Sequence, residues 1–287
     1  MSISVLKTPA EVRAFTRSLR QRGQRLALVP TMGFLHEGHL SLMREGGARA
    51  DVVAASIFVN PSQFRPGEDL ATYPRDLEGD LRRCESAGVS AVYAPEAATV
   101  YPAGYQTWVQ VEGVSQGLDG DRRPGHFRGV ATIVAKLFAL FRPDVALFGQ
   151  KDYQQLLVIN RLNADLELGV EVVGLPTVRE PDGLAKSSRN TYLSAAERAR
   201  ATCLSAGLFE AQRLAAQGQR SAQALIAAAR VSLVAAGVRE DYLAVHDAQT
   251  LEPLTELSER PARMLVAAFL GSTRLIDNIE LTLGSPK

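Results

Sequence analysis

Short apolar runs bounded by breakers alternate with amphipathic stretches through the first part of the chain. Arg25-Leu26-Ala27-Leu28-Val29-Pro30, Val52 to Val59, Ala91 to Ala94, Val145 to Phe148 and Val170 to Leu175 read as strands, because continuous apolar runs are what strands covered on both faces contain. Thr8-Pro9-Ala10-Glu11 is a capping box with proline at the first helical position, and Val12, Phe15 and Leu19 follow at helical spacing. Further helical stretches cover Leu77 to Ala87, Val130 to Phe141 and Tyr153 to Leu166. Strand and helix in alternation imply right-handed crossovers and a parallel sheet, so the fold class is α/β with a Rossmann-like first domain. After Pro176 the pattern changes. Pro181-Asp182-Gly183 marks a turn, Ser194-Ala195-Ala196-Glu197 opens one of two alanine-rich helical segments, and the second runs from about Ser221 to Ala236. Tyr242 to Val245, Met264 to Leu270 and Leu275 to Leu281 then read as strands. Helices first and strands later predict a smaller α+β domain, with 1–177 and 178–287 as the two domains.

Composition narrows the function classes. The chain of 287 residues carries 32 Lys plus Arg against 31 Asp plus Glu, a formal charge of +1, and no run of one sign forms the stripe that a phosphate backbone requires. Nucleic acid is therefore not an expected partner. Cys84 and Cys203 stand far apart without paired spacing, which fits free, buried thiols in a reducing compartment. The first residues lack a basic region followed by an apolar stretch, and no run approaches the roughly 18 apolar residues of a membrane span. A cytoplasmic protein with no membrane partner is expected.

The chemistry concentrates where strands end. Pro30-Thr31-Met32-Gly33-Phe34-Leu35-His36-Glu37-Gly38-His39 leaves the first apolar strand, turns on glycines and enters a helix expected to begin near Leu40. Ligands of open α/β sheets sit beyond strand carboxyl ends, and a helix N-terminus offers N–H groups and a positive dipole end to phosphate. His36 and His39 can add hydrogen bonds without a permanent cation. Zinc ligation by the pair lacks a nearby third ligand, and two structural histidines are the other alternative. Gln63, in Asn60-Pro61-Ser62-Gln63-Phe64, offers an amide donor and an acceptor to a small polar substrate, or simply belongs to a turn. Gly149-Gln150-Lys151-Asp152 runs from a strand into a helix. Lys151 can pair with phosphate there and Asp152 can hold Mg²⁺, while Asp152 with Gln155 also reads as an N-cap box. Lys186-Ser187-Ser188-Arg189 sets two hydroxyls between two cations, suited to β- and γ-phosphates or to a solvated loop.

His36-Glu37-Gly38-His39 in this setting resembles the His-x-Gly-His signature of the nucleotidylyltransferase superfamily. Together with Val29-Pro30-Thr31-Met32-Gly33, Ser56-Ile57-Phe58-Val59-Asn60-Pro61, Arg123-Pro124-Gly125-His126-Phe127-Arg128-Gly129-Val130, Lys151-Asp152-Tyr153-Gln154-Gln155 and Ser187-Ser188-Arg189-Asn190, it resembles the pantothenate synthetase family over essentially the whole chain. That resemblance implies ATP-dependent condensation of (R)-pantoate with β-alanine through a pantoyl adenylate, with release of AMP and pyrophosphate. It implies a homodimer, with ATP as substrate and Mg²⁺ alongside it.

The residue roles implied by the resemblance follow the motifs. His39 is the principal phosphate donor, His36 its assistant, and Lys151 and Arg189 stabilise charge. Met32, Gly33, Phe34, Leu35, His36, Glu37, Gly38, His39, Gly149, Gln150, Lys151, Asp152, Val178, Lys186, Ser187, Ser188 and Arg189 contact ATP, with Val178 meeting adenine through its backbone and Asp152 holding the metal. Gln63 and Gln155 bind pantoate, and the smaller domain closes over the ATP site. The chain departs from the family pattern at Ser62, Gln150 and Lys186, where Met, Glu and an apolar residue are usual. Tyr73-Pro74-Arg75 and His126-Phe127-Arg128 match family strings in expected loops, without an assigned role, and His246 reads as structural.

Overall fold

In the computed structural model, which describes residues 3–284, the chain separates into two units with their own cores. One comprises the residues up to Gln150 together with Gln154–Pro176, the other Lys151–Tyr153 with the chain from Thr177 onward. The first unit runs β1 (Ser4–Leu6), α1 (Pro9–Gln21), β2 (Leu26–Thr31), α2 (Glu37–Arg49), β3 (Val52–Ile57), α3 (Leu77–Ser86), β4 (Ala91–Tyr93), α4 (Ala97–Val100), α5 (Leu118–Arg122), α6 (His126–Phe141), β5 (Val145–Gly149), α7 (Tyr153–Asp165, all but its first residue) and β6 (Glu171–Leu175). Its six strands are parallel in the order β1-β4-β3-β2-β5-β6.

The apolar runs are continuous because both faces of this sheet are covered. Strand side chains alternate between faces, and the buried clusters divide in that way. Leu26, Leu28, Ala54, Ala146 and Phe148 pack with α1, α6 and α7 through Val12, Leu19, Phe138, Phe141 and Ile159. Ala27, Val29, Val53, Ala55 and Leu147 pack on the other side with Leu42, Met43 and Cys84 of α2 and α3. The Thr8 box forms as the sequence predicts, its hydroxyl accepting from Glu11 N–H and the Glu11 carboxylate accepting from Thr8 N–H at 2.9 Å. β1 was not anticipated: its three residues are exposed, exposed and buried, with no apolar run to mark them.

The second unit holds α8 (Ala195–Ala201), α9 (Cys203–Ala216), α10 (Ala222–Ala235), β7 (Arg239–Asp247), β8 (Ala262–Leu270) and β9 (Thr273–Leu281). Its three strands form an antiparallel meander, β7-β8-β9, whose apolar face shares a core with Leu204, Leu208, Leu225 and Leu233 of α9 and α10. Ser194 caps α8 in the expected box, but the first helical segment is broken at Thr202, which ends α8 and precedes α9. Both cysteines are free and buried, and burial pushes the Cys84 thiol up to about 12 and that of Cys203 to about 11. No helix among the described residues is long and apolar enough to cross a membrane.

Candidate active site

The strand order reverses direction at β2, which pairs with β3 on one side and β5 on the other. Beyond the carboxyl ends of strands at such a switch point lies the usual ligand crevice of an open parallel sheet. The segment from Met32 to His39 leaves β2 there. Gly33 has φ +86°, and a Cβ on it would stand 2.9 Å from Asp80 Oδ2 and 3.0 Å from Ile57 Cγ2, so only glycine fits this turn. Phe34 follows with φ +50°, a left-handed conformation rare for a large side chain. What holds it is Asp80 on α3, whose two carboxylate oxygens accept from the N–H groups of Phe34 and Leu35 at 2.7 Å each. Burial raises the Asp80 pKa, opposed by those two N–H groups and by Arg83. Asp80 carries no signal in the sequence, since a contact across 45 residues leaves no local pattern. Leu35 itself turns its side chain into the core.

The helix after this turn starts at Glu37 rather than near Leu40, and its cap explains the difference. His36 is the N-cap: its Nδ1 accepts from Gly38 N–H at 3.1 Å, while His39 Nδ1 accepts from His36 N–H at 3.2 Å. The two imidazoles thus form a capping box of their own, 4.1 Å apart between ring centroids. An Nδ1 that accepts a hydrogen bond carries no proton, which assigns the N–H of both neutral rings to Nε2. The structural and the chemical reading of these histidines are therefore compatible. One ring nitrogen shapes the helix end, and the other is a donor at the positive end of α2.

Beyond β3, Asn60 caps the 3₁₀ turn Pro61–Gln63, and Gln63 is buried with its Nε2 3.1 Å from Met32 Sδ. Met32 and Gln63, expected to serve ATP and pantoate respectively, thus lie side by side. The Gln63 carbonyl accepts from His126 Nδ1 at 2.8 Å, and His126 Nε2 lies 3.0 Å from Arg123 Nη1. Arg123 in turn forms two bonds to Glu68, each 2.9 Å. Burial, then the Arg123 guanidinium, hold the His126 imidazole down at about 4. His126-Phe127-Arg128 therefore opens α6 rather than lying in a loop, because the αL glycine Gly125 ends the preceding turn. Tyr73 is buried, and Arg75 donates to its carbonyl at 2.9 Å.

β5 ends at Gly149, and Gln150 donates from Nε2 to the Gly174 carbonyl at 3.2 Å. Gln155 is half-buried on α7. Asp152 corrects the N-cap expectation. A 3₁₀ turn, Gln150–Asp152, runs directly into α7, so Asp152 stands within continuous helical backbone where no cap is needed. Its carboxylate is exposed and has no hydrogen bond or ion pair with the described residues. In the second unit the Lys151 carbonyl accepts from Asn278 Nδ2 at 2.8 Å, and burial raises the pKa of Asp277, opposed first by Arg179 and last by the Lys151 charge.

The Lys186–Arg189 segment follows a small hairpin. Arg179 pairs with Ala185 across it, Lys186 N–H donates to the Val178 carbonyl at 2.9 Å, and Arg179 binds Asp277 through contacts of 2.6 and 3.0 Å. Ser187 caps the 3₁₀ turn Ser188–Tyr192, accepting from Arg189 N–H at 3.3 Å, and Ser188 is buried. The Lys186 ammonium pairs with Glu180 at 2.7 Å. His246, read as structural, lies on β7 with Nδ1 2.7 Å from the Leu251 carbonyl.

Comparison with known proteins points to one family. A pantothenate synthetase of Myxococcus xanthus is 64% identical over 283 residues, 98% of this chain and 97% of the relative. One from Geobacter sulfurreducens is 50% identical, over 96% of this chain and 98% of its own. Among solved structures, pantothenate synthetase from Thermus thermophilus superposes with a TM-score of 0.92 at 46% identity, covering 98% of this chain and 100% of that one. The pantoate-beta-alanine ligase of Francisella tularensis, complexed with beta-gamma ATP and beta-alanine, gives 0.79 at 30% identity over 96% and 97% of the two chains. The sequence profile of pantoate-beta-alanine ligase matches residues 4–280, and the chain belongs to that family.

Proposed function

We propose that the chain activates (R)-pantoate with ATP and passes the acyl group to β-alanine. The observation that carries this reading is the pair of imidazoles at the N-terminus of α2, their tautomers set by the capping box, at the carboxyl end of β2. A carboxylate is a poor acyl donor, so one pantoate oxygen attacks the α-phosphorus of ATP and the bond to the bridging oxygen of pyrophosphate breaks. The β-alanine amine then attacks the acyl carbon, loses a proton, and AMP leaves carrying the pantoate oxygen. No side chain forms a covalent bond in either step. The protein contributes positioning and donors aimed at developing charge.

In this scheme His39 Nε2–H is the principal donor to phosphate and His36 assists it. The backbone from Met32 to His39 and the end of β5 at Gly149 and Gln150 bind the nucleotide. Lys151 and Arg189 neutralise negative charge on the phosphates, Ser187 and Ser188 receive the departing pyrophosphate, and Val178 offers its N–H to adenine. The ion pair with Glu180 occupies the Lys186 ammonium, so Lys186 contributes positive potential more than a direct bond. Gln63 and Gln155 bind pantoate. Mg²⁺ fits as a passenger of ATP: among the described residues no group of three or more His, Cys, Asp or Glu could hold a metal, whereas magnesium commonly rides on phosphates with one or two carboxylates. Exposed, unpaired Asp152 suits that part, and the ion would supply charge neutralisation of the phosphates. A cytoplasmic homodimer extends the family resemblance, and the two buried thiols accord with a reducing compartment.

The reading is tested by supplying ATP, pantoate and β-alanine in turn. Pantoate alone should support exchange of pyrophosphate into ATP, and AMP should accumulate only when β-alanine is added. Formation of ADP, or AMP retained on the product, would overturn it.

A further inference from the structure

The orientation of the Gln63 amide follows from two backbone groups that cannot be reassigned. Asn60, 1% exposed, lies between the Ser62 N–H and the Gly129 carbonyl. Its Oδ1 is 3.4 Å from Ser62 N, and its Nδ2 is 3.2 Å from Gly129 O. Turning the Asn60 amide over would set donor against donor at Ser62 and acceptor against acceptor at Gly129. Nδ2 therefore faces Gln63, 3.1 Å from Oε1, and the atom it meets must be the Gln63 oxygen. The Gln63 NH₂ group is left on the side of Met32, where sulfur is only a weak acceptor.

Two hydroxyls reinforce the same arrangement from behind. Tyr101 OH is 2.8 Å from Asn60 Oδ1, Ser62 Oγ is 2.9 Å from it, and the two hydroxyl oxygens are 3.0 Å apart. The Tyr101 ring is held by Tyr105 at 5.0 Å and Trp108 at 5.9 Å between centroids. Two hydroxyl protons and one shared carbonyl form a redundant clamp, because either hydroxyl alone can still donate to Asn60. Close approach of α6 is built in, since a Cβ at Gly129 would stand 2.4 Å from the Ser62 carbonyl.

We propose that Ser62 and Tyr101 are positioning residues which, through Asn60, turn the Gln63 NH₂ group away from Asn60, so that this group meets an oxygen acceptor of the acid substrate. The proposal rests on the reading that Gln63 binds pantoate. It narrows that reading: the Gln63 NH₂ group donates to a carboxylate oxygen or to the lone pair of a hydroxyl.

The redundancy supplies the test. Ser62→Ala and Tyr101→Phe should each raise the KM for pantoate by less than about threefold, as for one ordinary hydrogen bond with a substitute nearby. The double variant should raise it roughly tenfold beyond the product of the single effects, the size of coupling seen between residues of one network. KM for ATP should stay within about twofold in all three, which a general loss of packing would not achieve. Additive double-variant kinetics, or equal changes in both KM values, would overturn the clamp. Gln63→Ala, measured beside them, separates the two ideas. An unchanged pantoate KM in that variant would remove the underlying reading, whereas a raised KM with an additive double variant would remove only the clamp. As a second readout, the Gln63 side-chain amide protons should move downfield when pantoate is added in the absence of ATP, and fixed shifts at saturating pantoate would contradict a donor role.

Discussion

Acidification should destabilise this protein through His126 by an amount that its surroundings determine. The imidazole donates from Nδ1 to the Gln63 carbonyl and receives Arg123 Nη1 at Nε2, so the neutral form is fully used. A second proton would go to Nε2, breaking the arginine contact and setting two cations together where water is excluded. With burial first and Arg123 second, the folded pKa is depressed from 6.5 to about 4. In the unfolded chain the same side chain takes its proton near its ordinary value. The stability held by the neutral ring is thus present above pH 6.5 and is lost as pH falls toward about 4. At about 1.4 kcal/mol for each pH unit between the two values, the loss approaches ~3 kcal/mol. The assay is urea unfolding of the wild type and of His126→Asn from about pH 7 down to about pH 4. Asparagine can place Nδ2 where Nδ1 stood and does not titrate. Titrations elsewhere are common to both proteins, so the wild-type minus variant difference should shrink by ~3 kcal/mol across that range. Parallel curves, or a His126 titration midpoint near 6.5 in the folded protein by NMR, would refute the reasoning.

Substitution at His36 separates its two ring nitrogens, since asparagine caps helices well but lacks an imidazole donor. His36→Asn should keep the melting temperature within a few degrees and slow pantoate-dependent pyrophosphate exchange by roughly 10- to 100-fold, as for an assisting donor; a normal rate would leave His36 as a cap alone. For Asp152 the continuous helix predicts that Asn and Ala variants are equally stable, because no cap is lost in either. Both should need more Mg²⁺ for half-maximal exchange, and wild-type metal dependence would remove Asp152 from the metal site. Asp80→Ala should unfold more readily by roughly 1 to 4 kcal/mol, since the buried Leu35 N–H loses its acceptor at about 1 to 3 kcal/mol and the part-buried Phe34 N–H loses its own at less. A loss below about 1 kcal/mol in urea unfolding would show that water replaces the carboxylate.

Local physics was legible in the sequence to the extent that it was periodic. The apolar runs marked the strands of a sheet covered on both faces, and Thr8 and Ser194 announced their helices through boxes of a familiar chemical type. β1 escaped because three residues with one buried side chain carry no pattern. The start of α2 is not legible because histidine is not among the usual capping residues, although its Nδ1 accepts as a serine oxygen does. Asp152 misled in the opposite way: an acceptable box spacing was present, but the preceding turn was already helical. The motif residues His36, His39 and Gln63 were visible as chemistry at strand ends. The groups that hold them, Asp80, Asn60, Tyr101 and His126, act through contacts spanning up to 69 residues. Such contacts depend on how the sheet brings distant loops together, and no spacing rule encodes them.

The central claim is that the pantoate carboxylate becomes bound to the α-phosphorus of ATP. Its most direct test uses pantoate labelled with heavy oxygen in the carboxylate, in a complete reaction with β-alanine, followed by mass analysis of the AMP. One labelled oxygen per molecule should appear in AMP, since the oxygen that bridges carbon and phosphorus leaves with the nucleotide. AMP free of label, with the heavy oxygen retained in the amide product or found in pyrophosphate, would contradict the account.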